Sequence, residues 1–246
     1  MDLSSSTILV TGGGSGIGLA LCARFLAAGS RVVACGRREE KLREARALHP
    51  RLETRVADVA TAAGRVALAD WAARELPDLN VLVNNAGIQR RMEVAAEKDW
   101  DAVHGEIAAN LEAPVHLSML FLPRLRDRDR SAIVNVTSGL AFAPLAGVPV
   151  YCATKAALHS FTMTLRRQLA ESSVEVIEIV PPAVDTDLGG PGLHKFGVAL
   201  DEFADAAFEG LRKGDVEIAY GFALGASRAS RAELDQTFER MNARPA

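Results

Sequence analysis

Short β-branched runs alternate along this chain with longer stretches in which apolar residues recur every three or four positions. The runs read as strands at 7–10, 31–35, 53–57, 79–83, 132–137, 174–180 and 216–220. Between them the helical period predicts helices over 19–28, 39–48, from after Asp58 to about Leu76, from near Asp99 into the 120s, from near Tyr151, and over 201–212. A basic tail at 227–241 is a further helix, and Gly29 is the expected C-cap of the first one. This alternation predicts an α/β fold, a doubly wound, seven-stranded parallel sheet with helices on both faces. The run at 79–83 is apolar, as expected for a central strand covered on both sides. No long Pro/Ser-rich linker and no internal repeat interrupts the pattern, so residues 1–246 read as one domain.

The turns after the strands carry the chemistry. The first strand enters Thr11-Gly12-Gly13-Gly14-Ser15-Gly16-Ile17-Gly18 and then a helix. A strand, a glycine-rich turn and a helix N-terminus make the arrangement that holds a dinucleotide pyrophosphate. The spacing is Gly12-x-x-x-Gly16-x-Gly18, not the strict G-x-G-x-x-G. The second strand ends at Gly36-Arg37-Arg38, where a binder of NAD places an acid for the ribose hydroxyl. Guanidinium groups there suit a 2′-phosphate, so NADP(H) is favoured over NAD(H). Asp58 ends the third strand, either as an acceptor for an adenine amino group or as the N-cap of the next helix. The fourth strand is followed by Asn84-Asn85-Ala86-Gly87, small enough for a ligand to approach the backbone. Asn110 interrupts an apolar helical stretch.

Ser138 stands at the carboxyl end of the fifth strand, the edge where open α/β sheets bind ligands. Tyr151 and Lys155 follow with i,i+4 spacing, which a helix brings onto one face. A nearby ammonium favours a phenolate, so the pair is a plausible proton-transfer device. The spacing alone has little specificity. The sixth strand runs into Pro181-Pro182-Ala183-Val184-Asp185-Thr186, and the glycine-rich 187–198 reads as a mobile loop over a site.

Composition narrows the classes. The formal charge is −3, with 49% hydrophobic and 24% charged residues, so nothing suggests nucleic acid or an anionic membrane. The three cysteines, Cys22, Cys35 and Cys152, form no C-x-x-C and read as reduced thiols of a cytoplasmic protein. The start lacks a signal peptide, no apolar run is long enough to span a membrane, and no metal-ligand spacing occurs.

Taken together, T-G-G-G-S-G-I-G at 11–18, N-N-A-G at 84–87, Asn110, Ser138, Y-C-A-T-K at 151–155 and P-P-A-V-D-T at 181–186 resemble the short-chain dehydrogenases/reductases over nearly the whole length. The resemblance is close to a bacterial subgroup found beside teichoic-acid D-alanylation enzymes. It implies a Rossmann fold whose residues 1–130 mainly hold the cofactor and whose residues 131–246 carry catalysis and substrate. It implies a tetrad: Asn110 holding a relay water, Ser138 orienting the substrate oxygen, Tyr151 as general acid/base, and Lys155 binding the nicotinamide ribose and lowering the tyrosine's pKa. It implies cofactor contacts from Gly12, Ser15, Gly16, Ile17, Gly18, Arg37, Arg38, Asp58, Val59, Asn85, Ala86, Gly87, Pro181, Val184 and Thr186, besides Tyr151 and Lys155. Pro182 departs from the family's Pro-Gly.

The expected activity is an NADP(H)-dependent oxidoreductase acting on a small carbonyl or secondary alcohol, as a homodimer or homotetramer. Ser138, Leu140, Tyr151 and His194 are the expected substrate contacts. A non-catalytic nucleotide-binding regulator is the alternative. A hydrolase built on Ser138 fares poorly, because Val136 stands where the nucleophile elbow needs glycine.

Overall fold

The computed structural model describes residues 3–243. Its strands are β1 (Thr7–Thr11), β2 (Arg31–Gly36), β3 (Glu53–Val56), β4 (Leu79–Asn84), β5 (Ser131–Val136), β6 (Val174–Val180) and β7 (Glu217–Ala219). They form one seven-stranded sheet in the order β3-β2-β1-β4-β5-β6-β7, and every pairing is parallel. The order reverses between β1 and β4. That reversal leaves a crevice at the carboxyl ends of the strands, the ligand edge of such sheets.

Period-two alternation sends each strand's side chains to two separate cores. On one face Ile8, Val10, Val32 and Val81 join Leu21 and Phe25 of α1 (Gly16–Ala28) and Leu42 of α2 (Glu39–Leu48). On the other face Leu9, Val33, Leu82 and Ile133 meet Leu68 and Ala72 of α3 (Ala62–Glu75). Fully burying one such side chain is worth about 1.5–3 kcal/mol, and both faces need it, which is why these strands are apolar throughout. Gly29 caps α1 in the left-handed region at φ 106°, where glycine carries no Cβ penalty.

Three boundaries differ from the sequence pattern, each for a local reason. The long helix from Asp99 is α4 (Trp100–Ile107), a π-helical turn (Ala108–Glu112) and α5 (Ala113–Arg126). Pro114 has no N–H to give the carbonyl of Asn110, so the α-helical ladder cannot pass through this point. Helix α6 (Pro149–Gln168) begins before Tyr151, with Pro149 where a missing N–H costs nothing. The tail after α7 (Leu200–Lys213) is not one helix but α8 (Phe222–Arg228) and α9 (Arg231–Asn242). The break is written by a capping box, in which Ser230 and Glu233 satisfy each other's backbone amides.

Candidate active site

The glycine turn is shaped by close backbone approach. Gly12 and Gly16 hold φ of 67° and 53°, and a β-carbon on Gly12 would lie 2.8 Å from Ala86 Cα. On Gly18 it would lie 2.4 Å from Asn85 Nδ2 and 2.5 Å from the Gly12 carbonyl. Thr11 Oγ1 accepts from the amides of Asn85 and Ala86 at 3.0 Å each, and Asn85 Nδ2 donates to the Thr11 carbonyl at 2.9 Å. The Asn85 side chain is therefore occupied in joining the β4 end to the turn. Gly18→Ala is expected to lower the melting temperature and to weaken dinucleotide binding at least tenfold by titration. Native-like binding would mean the turn tolerates the displacement.

At the end of β2, Arg38 donates to Ser15 Oγ at 3.1 Å, so its guanidinium lies across the mouth of the glycine turn. Arg37 and Arg38 both line the cleft above the turn, as do Asp58 and Val59. Asp58 Oδ1 accepts from Ala60 N at 3.0 Å, and it is Thr61, not Asp58, that caps α3. On the far side of the turn, Thr186 approaches Gly16: a β-carbon there would lie 3.5 Å from Thr186 Cγ2.

The carboxyl end of β5 and the first turns of α6 bring Ser138, Tyr151 and Lys155 together. Ser138 Oγ accepts from Leu140 N at 3.1 Å and opens a short 3-10 turn, Gly139–Ala141. The Gly139 amide donates to the Pro181 carbonyl at 2.9 Å, tying this turn to the end of β6. Tyr151 is buried, and the Ser138 hydroxyl beside it favours its ionised form against burial. Lys155 is buried too, and its Nζ donates to the Val136 carbonyl at 2.8 Å while lying 5.7 Å from the phenol ring's centre.

These groups do not titrate as the spacing suggests. Burial pushes Tyr151 up to about 12, and the Ser138 hydrogen bond opposes this without overcoming it. Burial pushes Lys155 down to about 8. In the chain by itself desolvation of the phenolate is the largest influence on Tyr151. A phenol near 12 is protonated at neutral pH and can donate.

Asn110 sits in the π-helical turn with its side chain engaged. Oδ1 accepts from Ile88 N at 2.8 Å, and Nδ2 donates to the Ile88 carbonyl at 2.7 Å and to Thr154 Oγ1 at 3.2 Å. Both amide hydrogens are thus engaged, and the amide oxygen keeps one acceptor site beyond the Ile88 amide.

The cleft over these residues has a volume of about 1310 Å³, more than the usual drug-sized pocket. It has room for a dinucleotide and a substrate. Its substrate half has an apolar wall, where Leu140, Leu145 and Leu188 pack against Tyr151, Val148 and Cys152. Cys152 Sγ faces the backbone of Leu145, accepting from its amide at 3.3 Å. His194 lines the cleft from the 187–198 segment, which is stitched down by a bridge between Val184 and Val198. Pro182 faces Gly221 at the start of α8, where a β-carbon would lie 3.9 Å from the proline ring. Gln89, Arg91 and Met241 also line the cleft, and nothing in the sequence pattern marked them. Among the described residues no His/Cys/Asp/Glu group is arranged for a metal ion, and no helix is long and apolar enough to cross a membrane.

A buried carboxylate meets a half-buried histidine next to Thr137, the residue before Ser138. Glu178, fully buried on β6, accepts from Thr137 Oγ1 at 2.6 Å and meets His159 Nδ1 at 2.9 Å. His159 on α6 touches Phe142 edge-on, with ring centres 4.6 Å apart. The hydrogen bond to Glu178 raises the His159 pKa, burial and Arg166 opposing it and Glu217 assisting. A raised folded pKa gives stability that is full below the unfolded value, about 6.5, and is lost as pH rises through the folded value. The melting-temperature advantage of the native chain over His159→Gln is expected to be largest near pH 6 and to shrink toward pH 9. An advantage independent of pH would show that the imidazole does not act as a cation here.

A glycine turn at a helix N-terminus, a cation pair beside it and a Ser-Tyr-Lys cluster in one cleft define a dinucleotide-dependent oxidoreductase site. The profile of the short chain dehydrogenase family matches residues 6–194, and the chain belongs to that family. It is 49% identical over 248 residues, covering 98% of each chain, to the "Uncharacterized oxidoreductase DltE" of Bacillus subtilis (strain 168). It is 34% identical over 181 residues, 72% of each chain, to the NADP-dependent 3-hydroxy acid dehydrogenase YdfG of Escherichia coli (strain K12). A short chain dehydrogenase from Burkholderia cenocepacia J2315 in complex with NADP superimposes with a TM-score of 0.85 over all of both chains, at 28% identity. A Burkholderia phymatum structure in complex with NAD shares the fold with the same TM-score of 0.85, over 100% of this chain and 99% of that one, at 21% identity.

Proposed function

We propose that the protein is an NADP(H)-dependent reductase of small carbonyl compounds, running in reverse as a secondary-alcohol dehydrogenase. The observation that carries this reading is the convergence of Ser138, Tyr151 and Lys155 on the wall of a cleft whose other half is the glycine turn. When bound, the nicotinamide supplies or accepts the hydride. The chain's own residues do the rest. Ser138 and the Tyr151 hydroxyl hold the carbonyl oxygen, and Tyr151 gives it a proton as charge develops. Lys155, held by the Val136 carbonyl, takes a ribose hydroxyl and keeps a positive charge beside the phenol. Leu140, Leu145 and Leu188 exclude water. His194 lines the same cleft and is the polar side chain of the 187–198 segment proposed to meet the substrate.

The same site fits the dinucleotide. The backbone cradle is closed to any β-carbon at Gly12 and Gly18, and Arg37 and Arg38 offer guanidinium groups where an acid would otherwise read the ribose. The NADP-dependence in the names of several relatives supports this preference. The exposed Met119 on α5 and Met163 on α6 support a homo-oligomer built on those helices. NADPH consumption across ketones, aldehydes, sugars and oxo acids tests the function. Turnover of at least one class is expected. Tight NADPH binding with no turnover of any class would favour a nucleotide-binding regulator instead.

A further inference from the structure

We propose that Glu106 is a positioning residue for substrate recognition, the middle point of a three-point seam that turns Gln89 and Arg91 into the cleft. After β4 the chain runs through residues 85–93 without regular secondary structure. Three alternate amides of this arm find partners. Ile88 N donates to Asn110 Oδ1 at 2.8 Å, Arg90 N to Glu106 Oε1 at a long 3.4 Å, and Met92 N to the Gly147 carbonyl at 3.1 Å. A period of two is strand spacing, in which successive side chains point to opposite sides. Glu106 and Asn110 stand four apart, so the helix presents them on one face. The arm is thus gripped like a strand, by two helix side chains and then by the floor of the substrate half.

The alternation shows in what faces the site. Past Gly87 and Ile88, which line the cleft where the arm leaves β4, Gln89 and Arg91 line it whereas Arg90 and Met92 do not. Gln89 also meets the segment over the site, since a β-carbon on Gly189 would lie 3.1 Å from the Gln89 carbonyl. A slip of one residue would exchange the two sets. Asn110 fixes only the beginning of the arm, and Gly147 only its end.

Glu106 is costly where it stands. It is fully buried, and Oε2 has no hydrogen-bond partner. Arg90 Nη1 is likewise buried and unpartnered, while Nη2 of the same guanidinium holds Glu97 at 3.3 Å. Burying a polar atom without a partner destabilises a fold, so an apolar residue would serve packing better. Burial raises the carboxyl's pKa, with the Arg90 amide and charge opposing. Protonated or not, Oε1 remains an acceptor for the Arg90 amide.

The kinetic arm of the test rests on the carbonyl-reductase reading; the exchange arm does not. Amide hydrogen exchange over 88–92 is measured on the nucleotide-free native chain, Glu106→Ala and Glu106→Gln. Exchange is expected to quicken at least tenfold in E106A and to stay within threefold of native in E106Q, which keeps an acceptor oxygen. With NADPH and the panel carbonyl that the native chain reduces fastest, E106A is expected to raise KM about tenfold with kcat within threefold, and E106Q to restore KM. Unchanged exchange in E106A would overturn the proposal. So would E106Q exchanging as fast as E106A, or kcat falling at native KM, which would make Glu106 a proton-transfer group. Should the native chain reduce no carbonyl, the functional reading falls and the exchange result alone decides the seam.

Discussion

Tyr151→Phe is expected to lower NADPH-coupled carbonyl reduction by about 10²–10⁴-fold, the usual worth of a positioned proton donor. The substitution removes one oxygen from a buried ring. The ring keeps its packing against Val148 and Cys152, so the fold and the dinucleotide cradle should survive. The loss should therefore fall on kcat, with the Kd for NADPH within threefold of native by fluorescence titration. The direction of the tyrosine's pKa sharpens this expectation. A phenol pushed up to about 12 is held in its acid form throughout the neutral range. Reduction needs that acid form, and oxidation needs the conjugate base. With no depressed phenol to titrate, the reduction rate should stay flat from pH 6 to 7, below the range in which Lys155, pushed down to about 8, loses its charge. A reduction rate that fell steeply across that range would point to a different group as proton donor. A variant with more than a tenth of native turnover would remove Tyr151 from the chemistry.

The second large effect is expected at the ribose end. Arg38→Ala should raise the Kd for NADPH about 10–100-fold, because charge-assisted hydrogen bonds contribute about 1.5–3 kcal/mol each. NADH binding should change less than threefold, since nothing on it needs the guanidinium. The structure favours Arg38 over Arg37 for the larger share. Arg38 is already drawn across the glycine turn by Ser15, so little side-chain freedom remains to be lost on binding. Parallel loss of both nucleotides in titrations would show that Arg38 supports the turn and does not read a 2′-phosphate.

Much of this site was legible because the backbone writes itself into the sequence. A positive φ at Gly12 and Gly16, and a close approach at Gly18, admit no other residue without strain, so the turn appears as a glycine pattern. The i,i+4 spacing of Tyr151 and Lys155 is likewise a helix made visible. Ser138 was found from the apolar run that ends at it. Other features have no such signature. Glu106 reads as an ordinary helical glutamate, and only the packing of α4 against α6 and the arm buries it. Gln89 and Arg91 lie in an irregular segment whose alternation is imposed by partners at 106, 110 and 147, far away in sequence. The setting of the tyrosine is hidden for the same reason: charge proximity is readable along a helix, but the dielectric around it is a property of the folded whole. The π-helical turn at Asn110 had a signal in Pro114, four residues on, which a helical-period reading passes over.

Transfer of deuterium from NADPH carrying deuterium at both C4 positions to a product alcohol tests the central claim most directly. Incubated with the native chain and a carbonyl it reduces, the label is expected at the carbinol carbon, in one configuration, and the amount of labelled alcohol formed by Tyr151→Phe over the same time is expected to be about 10²–10⁴-fold lower. An alcohol formed without deuterium at that carbon, or equal amounts of labelled alcohol from the native chain and the variant, would contradict the account.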